Sequence, residues 1–337
     1  MMATLLKLQQ FGVDIETPYG RAGILRDLDL TVAPGERLGI VGESGSGKSM
    51  TALAIMGLLP ESARVRGDLE FAGESLLKAD EDRLCAIRGR RIAMIFQEPM
   101  TALNPMQTIG HQVAEGPRLH LGLSRRQASS HANDLLARVG LPEKRVSHRL
   151  YPHQLSGGQR QRVMIAIALA CTPDLLIADE PTTALDVTTQ TGILDLIVEL
   201  AHEQGMGLIM ISHDLGVIGR TTKHTAVMYA GSFVETGETH QLLTSMAHPY
   251  SRGLYRAMPQ HAARSDQPAK ERPRLPTIPG TVPDPLSPIQ GCAFSSRCRH
   301  AEPDCRATAP DLASIGPAHF VACHHPEHQD RLLESIR

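Results

Sequence analysis

The sequence predicts an α/β protein with a largely parallel β-sheet, and two observations support this fold class. Apolar runs of four or five residues are separated by longer stretches with helical spacing. This is the pattern of buried parallel strands that are joined by helices. A glycine-rich segment ending in Lys48-Ser49 also lies between one such run and a helical stretch, as phosphate-binding turns do.

The elements follow from the same spacing, taken in chain order. Four apolar runs are predicted as strands: Leu38–Val41, Ile92–Phe96, Leu175–Ala178 and Leu208–Ser212. Four stretches are predicted as helices: Met50–Leu59, Ala128–Val139, Gln161–Ala170 and Gln190–Glu203. Residues from about 100 to 150 have little strand signal, and we expect them to form a helical insertion.

Composition excludes several classes of protein. The 337 residues suggest about two domains, and 42% hydrophobic content is enough to bury a core. A net charge of −2 and 3% aromatic residues argue against a general nucleic-acid binder. The most apolar stretch, Val163–Cys171, is too short to span a membrane, and the first residues do not resemble a signal peptide. We therefore expect a soluble, cytosolic chain that could still dock on a membrane partner.

The glycine-rich segment fits the pattern G-x-x-x-x-G-K-[ST]. Glycines allow the backbone amides to approach phosphate oxygens, and the following helix adds a favourable dipole. The lysine is expected to neutralise the β- and γ-phosphates, and the last serine hydroxyl to bind Mg²⁺. The residues of this segment are Gly42, Glu43, Ser44, Gly45, Ser46, Gly47, Lys48 and Ser49.

Two carboxylates follow the apolar run Leu175–Ala178. Ligands of parallel sheets bind at the carboxyl ends of the strands, where Asp179 and Glu180 are expected to lie. Asp179 is predicted to hold Mg²⁺, directly or through water, and Glu180 to orient and polarise the attacking water. Together with the glycine-rich loop, this pair predicts hydrolysis of a nucleoside triphosphate.

A third motif makes the resemblance specific. Leu155, Ser156, Gly157, Gly158 and Gln159 read LSGGQ, upstream of the two carboxylates. With the other motifs in this order, residues 1 to about 255 resemble ATP-binding-cassette (ABC) proteins. The resemblance implies a RecA-like core with an antiparallel β edge and a helical subdomain. It also implies that the LSGGQ loop contacts the γ-phosphate of ATP held by an opposite subunit.

The resemblance assigns the remaining site residues. Gln97 resembles the glutamine that senses Mg²⁺ and the attacking water, and His213 the histidine that contacts the γ-phosphate. Asp186 resembles the residue that couples the two ATP sites, although Thr183 replaces the serine usual in that motif. Tyr19 falls where these ATPases place an aromatic ring against adenine, and Met50 extends the ATP-binding segment.

Three further segments narrow the family: Glu98–Pro105, Tyr151-Pro152-His153 and His248-Pro249-Tyr250. Together with the proline-rich linker and the cysteine module that follow, they resemble the ATPase subunits of bacterial oligopeptide/dipeptide importers over essentially the whole chain. The resemblance implies a second ATPase, most simply a sister chain, two transmembrane permeases and an external solute-binding protein. It also implies a peripheral position on the cytoplasmic face of the cell membrane. Related nickel importers share the pattern, so nickel or another small solute is the alternative cargo.

The domain boundaries follow from composition and from the resemblance. Residues 1–256 are predicted as the nucleotide-binding domain, with its helical subdomain at about 98–160. Residues 257–288 are predicted as a linker, because eight prolines lie between Pro259 and Pro288. Residues 289–337 are predicted as a small cysteine-rich module.

Four of the six cysteines lie in this last module, in a C-x5-C-x6-C-x17-C spacing. Four thiols so close together in a cytosolic protein suggest a metal site rather than disulfides. Thiolate ligands permit Zn²⁺ or an iron–sulfur cluster, and four nearby histidines leave a mixed ligand set open. The resemblance favours a [4Fe-4S] cluster, with zinc or reduced free thiols as the alternatives. The cysteines are Cys292, Cys298, Cys305 and Cys323, and the histidines are His300, His319, His324 and His325.

Two functions of other classes compete with the importer ATPase. A soluble ABC ATPase acting on nucleic acid or ribosomes would need a basic surface, a long coiled-coil insertion or tandem cassettes, and the sequence has none of these. A metal or redox sensor that uses ATP for signalling would make the cysteine module the primary site. Nucleic acid is not an expected partner.

Overall fold

The computed structural model describes residues 4–183, 185–258 and 277–327, which form two β-sheets with helices around them. The strands are β1 Leu6–Thr17, β2 Gly20–Val32, β3 Arg37–Val41, β4 Ala63–Phe71, β5 Glu74–Ser75, β6 Ile92–Ile95, β7 Leu175–Asp179, β8 Gly207–Ser212, β9 His224–Tyr229, β10 Ser232–Glu238, β11 Ala313–Gly316 and β12 His319–Val321. The α-helices are α1 Lys48–Ile55, α2 Glu81–Ile87, α3 Pro99–Ala102, α4 Ile109–His120, α5 Arg125–Arg138, α6 Gly157–Leu169, α7 Val187–Glu203, α8 Leu215–Thr221, α9 Thr239–Thr244, α10 Pro249–Arg256 and α11 Pro303–Ala307.

The larger sheet has eight strands in the order β11-β12-β10-β9-β3-β8-β7-β6. Strands β9, β3, β8, β7 and β6 are parallel, and the four predicted strands are all among them. Their side chains alternate between two cores: Leu208 and Met210 face one, whereas Ile209 and Ile211 face the other. A strand buried on both faces reads as a continuous apolar run, which is why the sequence reveals these strands.

The smaller sheet is antiparallel, with the order β2-β1-β4-β5. Its apolar residues, including Phe11 and Phe71, share one core cluster with α1 and one face of the larger sheet. The sequence does not predict its strands individually. Alternation in β2 is interrupted by polar and half-buried positions, so its period of two is weak. The antiparallel edge implied by the family resemblance is this sheet.

Between β6 and β7, every regular element that the structure describes is helical, as predicted for this insertion. Helices α4, α5 and α6 pack through buried residues such as Val113, Leu136 and Ile165. Helix α5 begins with a capping box, in which Ser124 and Gln127 satisfy each other's backbone amides. Helix α6 carries the LSGGQ residues at its start and leads directly into the strand that ends at the two carboxylates.

Helix boundaries differ from the sequence prediction at several ends. The predicted helix Met50–Leu59 begins earlier, at Lys48, and ends at Ile55. It ends there because Gly57 has a φ of 65° and the Leu58 amide donates to the Leu53 carbonyl at 2.8 Å, a glycine-terminated helix end.

The C-terminal segment is part of the larger sheet. Strand β12 pairs with β10 in antiparallel register, for example Glu235 with Val321, and β11 extends the edge. His319 of β12 reaches the buried carboxylate of Glu235 at 2.8 Å. The predicted cysteine-rich module is therefore packed onto the cassette over its described residues. Residues 259–276 of the predicted linker and 328–337 of the predicted module lie outside the described residues.

Across the described ranges, none of the helices is both long and apolar enough to cross a membrane.

Candidate active site

The glycine-rich loop connects β3 to α1, as its sequence predicts. Gly42 has no room for a side chain, because a Cβ there would lie 2.2 Å from the Met228 carbonyl oxygen. Gly47 has a φ of 110° and is the N-cap of α1, a conformation that favours glycine. The loop is thus forced against strand β9, and the helix N-terminus behind it is available to an anion.

Lys48 is held inside this loop. Its Nζ donates to the carbonyl oxygens of Gly42 at 2.8 Å and of Glu43 at 3.0 Å. Burial lowers the pKa of Lys48, while the charges of Glu180, Asp179 and Glu43 act in the opposite direction. A phosphate group would replace the two neutral carbonyls by a charged partner, and this exchange favours binding of the triphosphate.

Asp179 has the chemistry of a cation ligand. Its side chain lies at the end of β7, is 4% exposed, and its Oδ1 has no hydrogen-bond partner among the described residues. Burial raises the pKa of Asp179, whereas a hydrogen bond from Ser49 lowers it. A buried, unpartnered carboxylate oxygen beside a serine hydroxyl fits Mg²⁺, which prefers oxygen ligands.

Glu180 is the point on which the predicted catalytic residues converge. Its Oε2 accepts hydrogen bonds from Gln97 Nε2 at 3.2 Å and Thr183 Oγ1 at 3.1 Å, and lies 3.1 Å from His213 Nδ1. Glu180 has a φ of 46°, and its amide donates to the Ile211 carbonyl at 2.9 Å. Left-handed backbone at a non-glycine residue is unfavourable and persists only where the surroundings hold it. The structure therefore brings Gln97, Glu180 and His213 together, and the roles predicted for them stay predictions.

The LSGGQ loop starts helix α6. Ser156 caps the helix by accepting from the Gln159 amide at 3.3 Å, and the Gln159 side chain accepts from the Ser156 amide at 2.9 Å. This capping box leaves both glycine amides at a helix N-terminus. Ser156, Gly157 and Gly158 line one open surface cavity together with Asp186, the N-cap of α7. Ala184 of the predicted Asp186 motif lies outside the described residues.

The chain matches known families over most of its length. Residues 25–183 match the family described as ABC transporter, and residues 234–305 match the oligopeptide/dipeptide transporter C-terminal region. A relative from Sinorhizobium fredii, named "Probable peptide ABC transporter ATP-binding protein y4tR", is 47% identical over 318 residues, 92% of each chain. The chain belongs to the ATP-binding subunits of the ABC transporters.

Two further relatives agree with this family. The "Putative peptide import ATP-binding protein" of Brucella melitensis is 47% identical over 306 residues, 89% of this chain and 90% of its own. The ATP-binding cassette MJ0796, solved as a post-hydrolysis dimer bound to ADP and Pi, has a TM-score of 0.63 and 28% identity. It covers 70% of this chain and 99% of its own length. The predicted cassette fold and ATPase class are thereby confirmed.

Tyr19 of this ABC subunit lies in the turn between β1 and β2. Its side chain is 88% exposed, and its amide donates to Thr17 Oγ1 at 3.2 Å. An exposed ring on a hairpin is available for stacking on a base. The role predicted for Tyr19 stays a prediction, as does that of Met50, which lies half-buried in α1.

The four C-terminal cysteines line one cavity together with His248 and Phe294. The four sulfurs form no disulfide bonds with one another. Burial raises the pKa of Cys292, Cys298 and Cys323, that of Cys323 to about 11. A cationic metal centre would stabilise the thiolate forms that burial disfavours.

The histidines around this cavity differ in role. His300, His324 and His325 line it. His319 does not line it, so its suggested place in a mixed ligand set is wrong: its ring is taken up by Glu235. Within the described ranges, the group of three or more ligand atoms lying within 4.8 Å of one another is that of Asp304, Cys305 and His325.

Three contacts at the ATP site are not evident from the sequence. Thr183 departs from the serine usual in its motif, and its hydroxyl still reaches Glu180. Tyr250 stands out in the sequence only as part of a family segment, yet its hydroxyl accepts from the Glu43 amide at 2.8 Å. Arg297 forms a bidentate ion pair with Glu43. Tyr250 and Arg297 lie far from the loop in sequence, so no local pattern could reveal their contacts.

Proposed function

We propose that this chain is the ATP-hydrolysing subunit of a bacterial importer of di- and oligopeptides. The observation that carries the motor role is the single Glu180 oxygen to which Gln97, Thr183 and His213 converge. The cargo class is supported by the match of residues 234–305 to the oligopeptide/dipeptide transporter C-terminal region and by the names of the relatives.

In this proposal, phosphate binding, Mg²⁺ binding and activation of water are carried out by different residues. Lys48 and the loop amides bind the phosphates, and Ser49, Asp179 and Gln97 would hold Mg²⁺. When bound, Mg²⁺ would neutralise negative charge on the β- and γ-phosphates. Glu180 orients and polarises the attacking water, and His213 contacts the γ-phosphate.

The second half of each ATP site comes from another cassette. Ser156, Gly157 and Gly158 offer a capped helix N-terminus in the cavity that Asp186 also lines, and this arrangement suits the γ-phosphate held by a partner. The dimer of MJ0796 supports such a pairing. We take the partner to be a sister ATPase chain.

Two permeases complete the importer, and an external solute-binding protein acts through them. The segment 97–104, which includes α3, is proposed to receive the permease. Phe96 and Met106, on either side of α3, are 39% and 83% exposed and would supply apolar contacts to it. This arrangement puts the chain on the cytoplasmic face of the cell membrane. Residues 1–256 are then the nucleotide-binding domain, residues 257–288 a linker and residues 289–337 a C-terminal module, whose strands β11 and β12 extend the larger sheet.

Uptake of labelled dipeptide, oligopeptide and radiolabelled nickel tests the cargo, in cells lacking this chain and in complemented cells. We expect peptide uptake to fall to background and the wild-type gene to restore it. Lys48→Ala should fail to restore uptake, because the charge that binds phosphate is lost. Lys78→Ala, an exposed lysine outside the loop, is the matched control and should restore it. Loss of nickel uptake alone would contradict the peptide proposal and leave the ATPase assignment in place.

The cysteine cavity is proposed to hold a [4Fe-4S] cluster, with Zn²⁺ as the alternative. Four thiolates around a single tetrahedral zinc at about 2.3 Å would lie within about 4 Å of one another. The close group in the structure instead contains one thiol, with Asp304 and His325. What supports the cluster is that all four cysteines line one cavity and that four thiolates are its usual ligands.

Metal analysis after anaerobic purification tests this site. We expect about four iron atoms and about four acid-labile sulfides per chain, because four thiolates are the usual ligands of such a cluster. Cys298→Ser should lower both contents severalfold, whereas Cys85→Ser, an exposed thiol outside the cavity, should leave them unchanged. Zinc without iron or sulfide would overturn the cluster and favour the alternative.

A further inference from the structure

Glu43, the second residue of the phosphate-binding loop, is held through three of its groups. Its amide donates to Tyr250 Oη at 2.8 Å, and its carbonyl accepts from Lys48 Nζ at 3.0 Å. Its carboxylate accepts from Arg297 Nη1 at 2.7 Å and Nη2 at 3.1 Å. The last contact joins residues 254 positions apart in the sequence. Glu43 is thus fixed by residues from the end of the cassette and from the C-terminal segment.

Arg297 is itself held rigidly. Its side chain is 4% exposed, and its guanidinium also donates to the carbonyls of Pro279 at 2.8 Å and Ile278 at 3.3 Å. The guanidinium lies 5.7 Å from the ring centre of Tyr229 and 5.9 Å from that of Phe294. A fully exposed ion pair contributes little, but here the Arg297 side chain is 4% exposed and the Glu43 side chain 28%. Without Glu43, the buried guanidinium would be a charge without its carboxylate partner, and the two parallel hydrogen bonds fix the relative orientation of the two side chains.

The Arg297–Glu43 pair fixes the shape of the phosphate-binding loop around Lys48. The lysine that must reach the phosphates is bonded to the carbonyls of Gly42 and Glu43. A change in the position of Glu43 would therefore move the loop amides and Lys48 together. Arg297 can therefore affect ATP binding without touching the nucleotide itself.

We propose that Arg297 is a positioning residue for ATP binding, which holds the phosphate-binding loop in its receptive shape through Glu43. The C-terminal segment is then a working part of the ATP site. This inference rests on the proposed ATPase function and adds a residue that does not belong to the loop itself.

The test measures ATP affinity and steady-state hydrolysis in the assembled transporter, with a fluorescent ATP analogue as the binding probe. Arg297→Gln is expected to raise the dissociation constant and the KM for ATP about tenfold and to change kcat less than about threefold. A purely structural role would lower the melting temperature and leave KM unchanged. Arg299→Gln, an exposed arginine two residues away, is the matched control and should behave as wild type.

Glu43→Gln removes the charge of the other partner, the one in the loop. It keeps the test decisive if Arg297→Gln does not fold. It should raise the KM for ATP in the same direction, and the double variant should be no weaker than the weaker single variant, because both remove one interaction. The inference would be overturned if Glu43→Gln left ATP affinity unchanged. It would also be overturned if Arg299→Gln weakened ATP affinity as much as Arg297→Gln does. Wild-type transporter that neither binds nor hydrolyses ATP would instead overturn the proposed function.

Discussion

Glu180→Gln is expected to lower kcat for ATP hydrolysis at least about 100-fold while ATP binding persists. Glutamine preserves the size of the side chain and its contacts with Gln97 and Thr183, but its amide cannot polarise water as a carboxylate does. The loop that binds the phosphates is untouched. Hydrolysis is measured as phosphate release by the assembled transporter, and binding with the fluorescent analogue.

Glu203→Gln is the matched control for this change. Glu203 pairs with Arg138 at the surface, where its side chain is 47% exposed, so its charge is not part of the site. We expect wild-type hydrolysis from this variant. If the Glu180→Gln transporter kept more than about one third of the wild-type rate of ATP hydrolysis, Glu180 would not be the residue that polarises the attacking water.

The second large effect is expected on stability. Glu235→Ala should lower the free energy of unfolding by about 3–5 kcal/mol, because it breaks a buried charged network. Glu235 is fully buried, accepts from the amides of Ala247 at 2.7 Å and His248 at 3.1 Å, and contacts His319 at 2.8 Å. Its loss leaves two amides and one imidazole without their acceptor. Urea unfolding followed by circular dichroism measures the change.

The comparison variant is Glu238→Ala, three residues along the same strand. Glu238 caps α9 by accepting from the amides of His240 and Gln241, and loss of a cap costs about 1 kcal/mol. Amide hydrogen exchange should also rise at His319–Val321 in Glu235→Ala, because the pairing of β12 with β10 loses its anchor. A smaller destabilisation than that of Glu238→Ala would show that the C-terminal strand does not depend on this network.

The parts of the site that lie near one another in the chain are predictable from the sequence alone. The loop from Gly42 to Ser49, the pair Asp179-Glu180 and the LSGGQ residues each carry their chemistry in consecutive positions. The carboxyl ends of parallel strands meet at one edge of a sheet, so Gln97, Glu180 and His213 are expected to converge. In the structure these three residues lie together because β6, β7 and β8 are adjacent in the sheet.

Other features needed the tertiary structure. The smaller sheet has strands with one exposed face, bulged pairing and weak alternation, so periodicity does not reveal them. Helix α1 ends early at a glycine whose backbone conformation is not evident from composition. The sequence suggests that the C-terminal residues form a module of their own, since nothing in it indicates that β12 adds to β10.

The sequence by itself determined the fold class and the ATPase class, and it predicts the candidate catalytic residues, because these depend on short motifs and on runs of buried residues. Only the tertiary structure decided what surrounds them. It brings Arg297 and Tyr250 to Glu43, assigns His319 to Glu235 rather than to the cysteine cavity, and gathers the four thiols around one space. The physical reason is that these contacts join residues far apart in the chain, where burial and charge pairing, rather than local periodicity, select the partners.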